Sequence, residues 1–205
     1  MSNGFSRVSG GSTLAAFGVV EAMLLRSLAA QLVELLADDQ PSAARQVDPL
    51  ASLLDFQGPV DPPDDPVLAR LLPDAYRDDD EAAADFRRYT EQGLREGKVR
   101  NARALIDTLH DGGLPEADEE AEHLADDDRD DVVEVVLDAE TSQAWLRCLT
   151  DLRLALATRL GIEDEDDRRW ERLADDDPRA QMYDIYGWLG YLQETLVLAL
   201  PRPGG

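Results

Sequence analysis

Arginine is the residue with which this sequence could do most chemistry. Arg70, Arg87, Arg88, Arg153 and Arg159 fall in strongly helical, partly apolar stretches. A guanidinium is a planar fork of donors that matches a carboxylate, and 44 Asp and Glu residues are present to meet it. Two uses follow. The arginines tie helices together as internal ion pairs, or Arg70, Tyr76, Arg87, Arg88 and Arg153 gather in one pocket for a small molecule or anion. Cys148 is the lone cysteine, which leaves no intramolecular disulfide open to it. It is either a small side chain at the edge of the core or a redox-sensing thiol beside Arg147. The second use requires a mixed or intermolecular disulfide.

The other reactive constellations fail on spacing. Asp126, Asp128 and Asp130 begin a calcium-loop pattern, but Asp131 stands where the sharp turn needs Gly, and Leu137 where Glu should close the site. Glu120 and His123 form Glu-x-x-His once, whereas a di-metal bundle uses it on two helices. The only histidines are His110 and His123, and with one cysteine they cannot supply a zinc site. No Gly-x-Ser-x-Gly elbow exists, and Gly10-Gly11 lacks the Lys-Ser/Thr of a phosphate loop. The expectation is no catalytic residue, no metal and no cofactor, hence not an enzyme.

The charge balance narrows the partners. Twenty basic residues against 44 acidic ones give a net charge of −24, and the pI is about 4.2. Phosphate binding and anionic membrane surfaces both need clustered Lys and Arg, so direct nucleic-acid binding by the chain alone is not expected and a polybasic anchor is ruled out. No apolar stretch reaches the ~18 residues of a transmembrane helix. Met1–Gly18 carries one basic residue, Arg7, and no apolar core of a signal peptide. With the single cysteine, this makes the cytoplasm the default expectation. Lys98 is the sole lysine among many arginines, a mark of GC-rich coding.

The elements that must position these residues are mostly helices. Met23, Leu24, Leu28, Leu32, Leu35 and Leu36 make one stripe within a helix from about Val19 to Leu36. Asp65-Pro66 reads as a cap and first residue of a short helix to Leu72. Asp78 to Glu81 open one long helix to His110, with an apolar line through Ala82, Phe86, Tyr89, Leu94, Val99, Ala102, Leu105, Ile106 and Leu109, and Gly97 is the place where it could bend. Asp138 caps a helix carrying Trp145, Leu149, Leu152, Leu156 and Leu160 on one face. Asp177-Pro178 starts the last helix, whose face of Met182, Ile185, Leu189, Leu192 and Leu196 is expected to be widened by Trp188, Tyr191, Val197 and Leu198. A shorter helix is expected over 168–173. Gly10-Gly11 suggests a hairpin, and the β-branched run 132–137 reads as a strand. The strand-then-helix order recurs at 14–36 and 132–160, so the two strands could pair beside the bundle. The fold class is therefore mainly α: one domain over 1–205, about four main helices and a small β-element. Residues 38–64 and 114–131 are Pro-rich or acidic loops.

Three blocks in order carry a family resemblance. They are Asp65-Pro66 through Arg70, Pro73 and Tyr76 into Phe86-Arg87-Arg88 and Lys98; Trp145-Leu146 through Asp151 and Arg153 to Gly161; and Tyr183-Asp184, Trp188-Leu189 with Leu192-Gln193-Glu194. Together they resemble the actinobacterial domain-of-unknown-function family two-thousand-and-seventeen. The resemblance implies a mostly helical protein of high-GC Gram-positive bacteria, encoded near the Clp protease adaptor and often near sulfur-assimilation genes. Some members carry a transcriptional-regulator label. No catalytic residue is established for the family. Where members rely on a cysteine pair, this sequence departs from them, having Cys148 alone.

The leading functional expectation is a regulatory or protein-interaction module, tied to transcription or regulated proteolysis. It would present acidic surface, chiefly 114–131 and 163–167, to a protein partner with a basic surface. One alternative is the small-molecule or anion binder with its arginine pocket. Another is a nucleic-acid mimic that competes with DNA for its partner. The apolar last helix also makes a homodimer possible.

Overall fold

Aspartate sets every capped helix start. The computed structural model describes residues 4–8, 10–38, 61–76, 78–116, 132–162 and 177–201. In chain order these form β1 (Ser6–Arg7), β2 (Thr13–Gly18), α1 (Val19–Asp38), α2 (Pro66–Leu71), α3 (Asp80–Asp111), β3 (Val132–Leu137), α4 (Ala139–Leu160) and α5 (Pro178–Ala199). Asp65, Asp79, Asp138 and Asp177 are the N-caps of α2, α3, α4 and α5, each accepting backbone N–H bonds from the first turn. Pro66 and Pro178 supply the pre-set first helical residue. Gly161, at φ +71°, closes α4 in the left-handed conformation. The fold is mainly α with a small antiparallel sheet, as the patterning predicts. Both loops expected over 38–64 and 114–131 lie largely outside the described residues, as does the helix expected over 168–173.

The sheet has the order β1-β2-β3. Gly10 and Gly11, both at positive φ, turn the β1–β2 hairpin. β2 pairs antiparallel with β3, Phe17 opposite Val133 and Thr13 opposite Leu137. The two strand-then-helix segments therefore do meet at their strands. Alternation fixes which face is inside: Ala15, Phe17, Val133, Val135 and Leu137 are buried, while Val132 and Val136 face solvent. Beneath the sheet, Phe5, Phe17 and Trp145 form an aromatic cluster with ring centroids 5.5–6.0 Å apart. The Trp145 indole N–H donates to Thr108 Oγ1 at 2.8 Å, which satisfies the one polar group this fully buried ring carries.

Around this cluster the helices pack α1 against α3, α3 against α4, and α4 against α5, while α2 lies on α4. The last of these is tied by Arg159 to the cap residue Asp65, at 2.7 Å. β1 ends on α5: the Phe5 N–H donates to Thr195 Oγ1 at 3.1 Å, and Arg7 donates to the carbonyls of Ala199 and Leu200. The Arg7 cation thus meets the negative end of the α5 dipole. The long α3 is one continuous helix through Gly93 and Gly97. No described helix is long and apolar enough to cross a membrane.

At the end of α3, Gly112 packs against β3 so closely that a Cβ there would lie 2.5 Å from the Glu134 carbonyl oxygen. Gly112→Ala must push the strand or the helix end away. We expect it to lower the urea-unfolding stability by about 1–3 kcal/mol, an overpacking cost. Gly93→Ala, which meets nothing within 4 Å, is expected to raise it instead.

Candidate functional site

The inward face of α3 changes character along its length. Near its C-terminus it buries Ala102, Leu105 and Leu109. Towards the N-terminus the same face continues at every fourth residue as Ala83, Arg87, Glu91 and Arg95, all buried. The apolar line expected through Tyr89 and Leu94 is on the wrong side: those two side chains are 62% and 42% exposed. The helix was recognised from its apolar residues, but charged ones occupy its inner face.

Each buried charge has a partner. Arg95 donates from Nε to Glu91 Oε1 at 2.8 Å, and its NH1 reaches the Leu36 carbonyl at 3.1 Å, near the C-terminus of α1. One guanidinium thereby neutralises a buried carboxylate and satisfies a helix-end acceptor. Lys98, the only lysine, donates to Asp151 Oδ1 on α4 at 2.6 Å. Burial raises the Asp151 pKa, and the Lys98 hydrogen bond and charge oppose that rise. Arg87 pairs with Asp74 in the segment between α2 and α3. Glu91, Arg95, Lys98 and Asp151 escaped the sequence reading. The signal that could have found Glu91 and Arg95 was the four-residue spacing 83, 87, 91, 95, which continues the apolar face in charged residues.

The arginine set expected to share a pocket is distributed over the molecule. Arg70 is on the exposed side of α2. Tyr76, 52% exposed, meets Phe86 edge-on at 6.2 Å, one residue from Arg87. Arg88 is half-buried and lies 3.8 Å from Asp85 on its own helix. Arg153 is on α4 and faces α5. Its NH1 donates to Gln193 Oε1 at 2.7 Å and its NH2 to the Tyr186 hydroxyl at 3.2 Å, with the Tyr186 ring centroid at 4.9 Å. Gln193 in turn donates to Thr150 at 2.7 Å. Arg153 lines a groove of about 680 Å³ whose other walls are α5 residues, including Gly187, Gly190, Tyr191, Glu194 and Leu198. None of Arg70, Tyr76, Arg87 or Arg88 lines it.

Cys148 is fully buried between α4 and the core. Burial first, then the Asp151 charge, push its thiol pKa up to about 12. A redox thiol needs the reverse: access and a stabilised thiolate. Among the described residues no group of three or more His, Cys, Asp and Glu is placed to hold a metal ion. The sequence 126–131 and the Glu120–His123 pair lie outside those residues.

A family model described as a domain of unknown function, DUF2017, covers residues 2–200. The chain belongs to this family. Relatives within reach include proteins named oxidative stress regulator AosR from Mycobacterium tuberculosis (strain H37Rv) and Mycobacterium bovis. Each is 34% identical over 198 residues, a match that spans 88% of this chain and 78% of the relative. No solved structure matches the chain. For a DUF2017 protein, then, the α3 ladder and the Arg153 groove are structural facts to which the family description adds no chemistry.

Two outcomes test the interior. Lys98→Met leaves the Asp151 carboxylate buried beside an apolar chain and is expected to cost about 3–5 kcal/mol, whereas Lys98→Met with Asp151→Leu recovers most of it in chemical denaturation. In native protein at pH 8, Cys148 is expected to react with a maleimide at least ~100-fold more slowly than in urea, because labelling must await opening of the core.

Proposed function

We propose that this chain is a regulator of the oxidative-stress response that acts by binding a partner protein with a basic surface, and not by catalysis. The observation that carries the reading is the 34% identity, over nearly the whole chain, to proteins named oxidative stress regulator. The distribution of charge gives it a physical route. Arg7, Arg87, Arg95, Lys98 and Arg159 are held by internal acceptors. At the start of α3, Asp78, Asp79, Asp80, Glu81 and Asp85 are all exposed. Arg87, Arg95 and Lys98 are thus turned inward while this cluster of carboxylates faces solvent, an arrangement that favours encounter with a basic partner over nucleic acid. The partner belongs to transcription or to regulated proteolysis. The buried Cys148 thiol is not the sensor in this reading; the response to oxidant reaches the protein through its partner.

The Arg153 groove supports a second reading, a small-anion binder, because the guanidinium is held in place by Gln193 and Tyr186 at the wall of an open cleft. A nucleic-acid mimic is a special case of the first reading, and competition with DNA for the partner would identify it.

The test is affinity capture with the full chain at ~50 and ~500 mM salt, which shortens the screening length from above 10 Å to a few ångströms. We expect one discrete basic protein held at low salt and lost at high salt. Deleting 116–131 is expected to reduce its capture while leaving the helical circular dichroism unchanged. In parallel, cells lacking the gene are expected to lose their induced response to peroxide and to regain it with the wild-type gene. An unchanged peroxide response together with no captured protein at either salt would refute the reading.

A further inference from the structure

The outward stripe of α5 combines three features that point to one occupant. Its inner side buries Leu189, Leu192, Leu196 and Ala199 against the bundle. The opposite stripe, at helical spacing, is Gly187, Gly190, Tyr191, Glu194, Val197 and Leu198, the wall of the groove that Arg153 closes. Tyr191, Val197 and Leu198, expected to widen the inner face, are instead 43%, 52% and 72% exposed, because they lie on the side of the helix turned away from the bundle, a run of apolar surface on one helix face.

Size is graded along the stripe. The N-terminal end has glycines: a Cβ at Gly187 would meet nothing within 4 Å, and one at Gly190 would lie 3.5 Å from the Arg153 guanidinium carbon. The C-terminal end has the large residues Val197 and Leu198. Charge is balanced too. The groove lining holds one cation, Arg153, and one carboxylate, Glu194, and is otherwise uncharged. By contrast, the cleft between α1 and α5 carries Glu21 and Asp184 and no cation. In a chain of net charge −24, the α5 stripe is a neutral strip on which a like-charged molecule can land.

We infer that α5 is the twofold interface of a homodimer, formed by antiparallel packing of this stripe on its copy. A twofold axis through the middle of the stripe sets Leu198 level with the second copy's Gly187, so the most exposed leucine enters the hole left by a glycine. The same axis sets Glu194 level with the second copy's Tyr191, one residue from the glycine over which the second copy's Arg153 lies. Each interface then holds two Glu194–Arg153 pairs, related by symmetry. Large meets small and plus meets minus only in the antiparallel arrangement. A parallel pair would set glycine on glycine and Glu194 on Glu194. The contact is isologous and closes on itself, so it makes dimers and no higher assembly.

Sedimentation velocity on the full chain across ~1–200 µM is the test. We expect a monomer–dimer equilibrium in the wild type. Gly187→Leu fills the hole; a Cβ there meets nothing within 4 Å in the monomer and leucine is a better helix former than glycine, so the variant is expected to fold. It is expected to weaken association by at least ~10-fold, with melting of the isolated monomer no lower than the wild type's. Glu194→Arg sets a cation against the second copy's Arg153 and is expected to weaken association to a similar degree, most strongly at low salt. A wild type that stays monomeric at ~200 µM, or a dimer that survives both substitutions, would overturn the inference.

Discussion

A guanidinium buried in a protein interior must be answered by acceptors, and the packing of this molecule follows from that demand. Taking a charge out of water costs several kcal/mol unless a partner meets it. Arg95 meets it with Glu91 on its own helix and with the Leu36 carbonyl near the end of α1. Lys98 meets it with Asp151 on α4, and Arg87 with Asp74 just before α3. Side chains from a single face of α3 thus bind to α1, to α4 and to the α2–α3 segment. Apolar contacts tolerate sliding by a fraction of a turn, whereas a hydrogen-bonded pair does not. The ladder fixes the relative height of three helices, and the Phe5–Phe17–Trp145 cluster fills the space they define.

Much of the fold was legible because its punctuation is local. The Asp-Pro starts at 65–66 and 177–178, the Asp138 cap, the Gly10-Gly11 hairpin and the β-branched run 132–137 all form where residue chemistry places them. The pairing of β2 with β3 was also accessible, since each strand leads into a helix and their apolar alternations match. The inner face of α3 was not legible, and the reason is general. Pattern reading assumes that what is buried is apolar, so Tyr89 and Leu94 were assigned inward and Arg87, Glu91 and Arg95 were not. The arginines were rightly suspected of internal pairing at Arg87 and Arg159. Their convergence in one pocket was a statement about three-dimensional proximity for which the sequence held no information.

The ladder also bears on how the chain presents itself. Its cations are counted in the composition but little displayed at the surface, so the exterior is more acidic than the ratio of 20 basic to 44 acidic residues suggests. Cys148 lies beside the Lys98–Asp151 pair, and the Asp151 charge adds to the burial that keeps the thiol protonated. The same buried acid that anchors α4 to α3 therefore also quiets the only cysteine.

The sheet has a consequence for how the protein is made. β2 has its partner in β3, with Phe17 opposite Val133, and the whole of α1, α2 and α3 is translated between them. Synthesis at about 5–20 residues per second puts several seconds between the appearance of one strand and the other. During that interval Phe17 and the edge of β2 have no partner on that side, and loop-closure entropy makes the pairing slow to form even once β3 is available. The sheet can therefore be completed only after α1, α2 and α3 have been made, and Trp145 on α4 reaches its place beneath it later still.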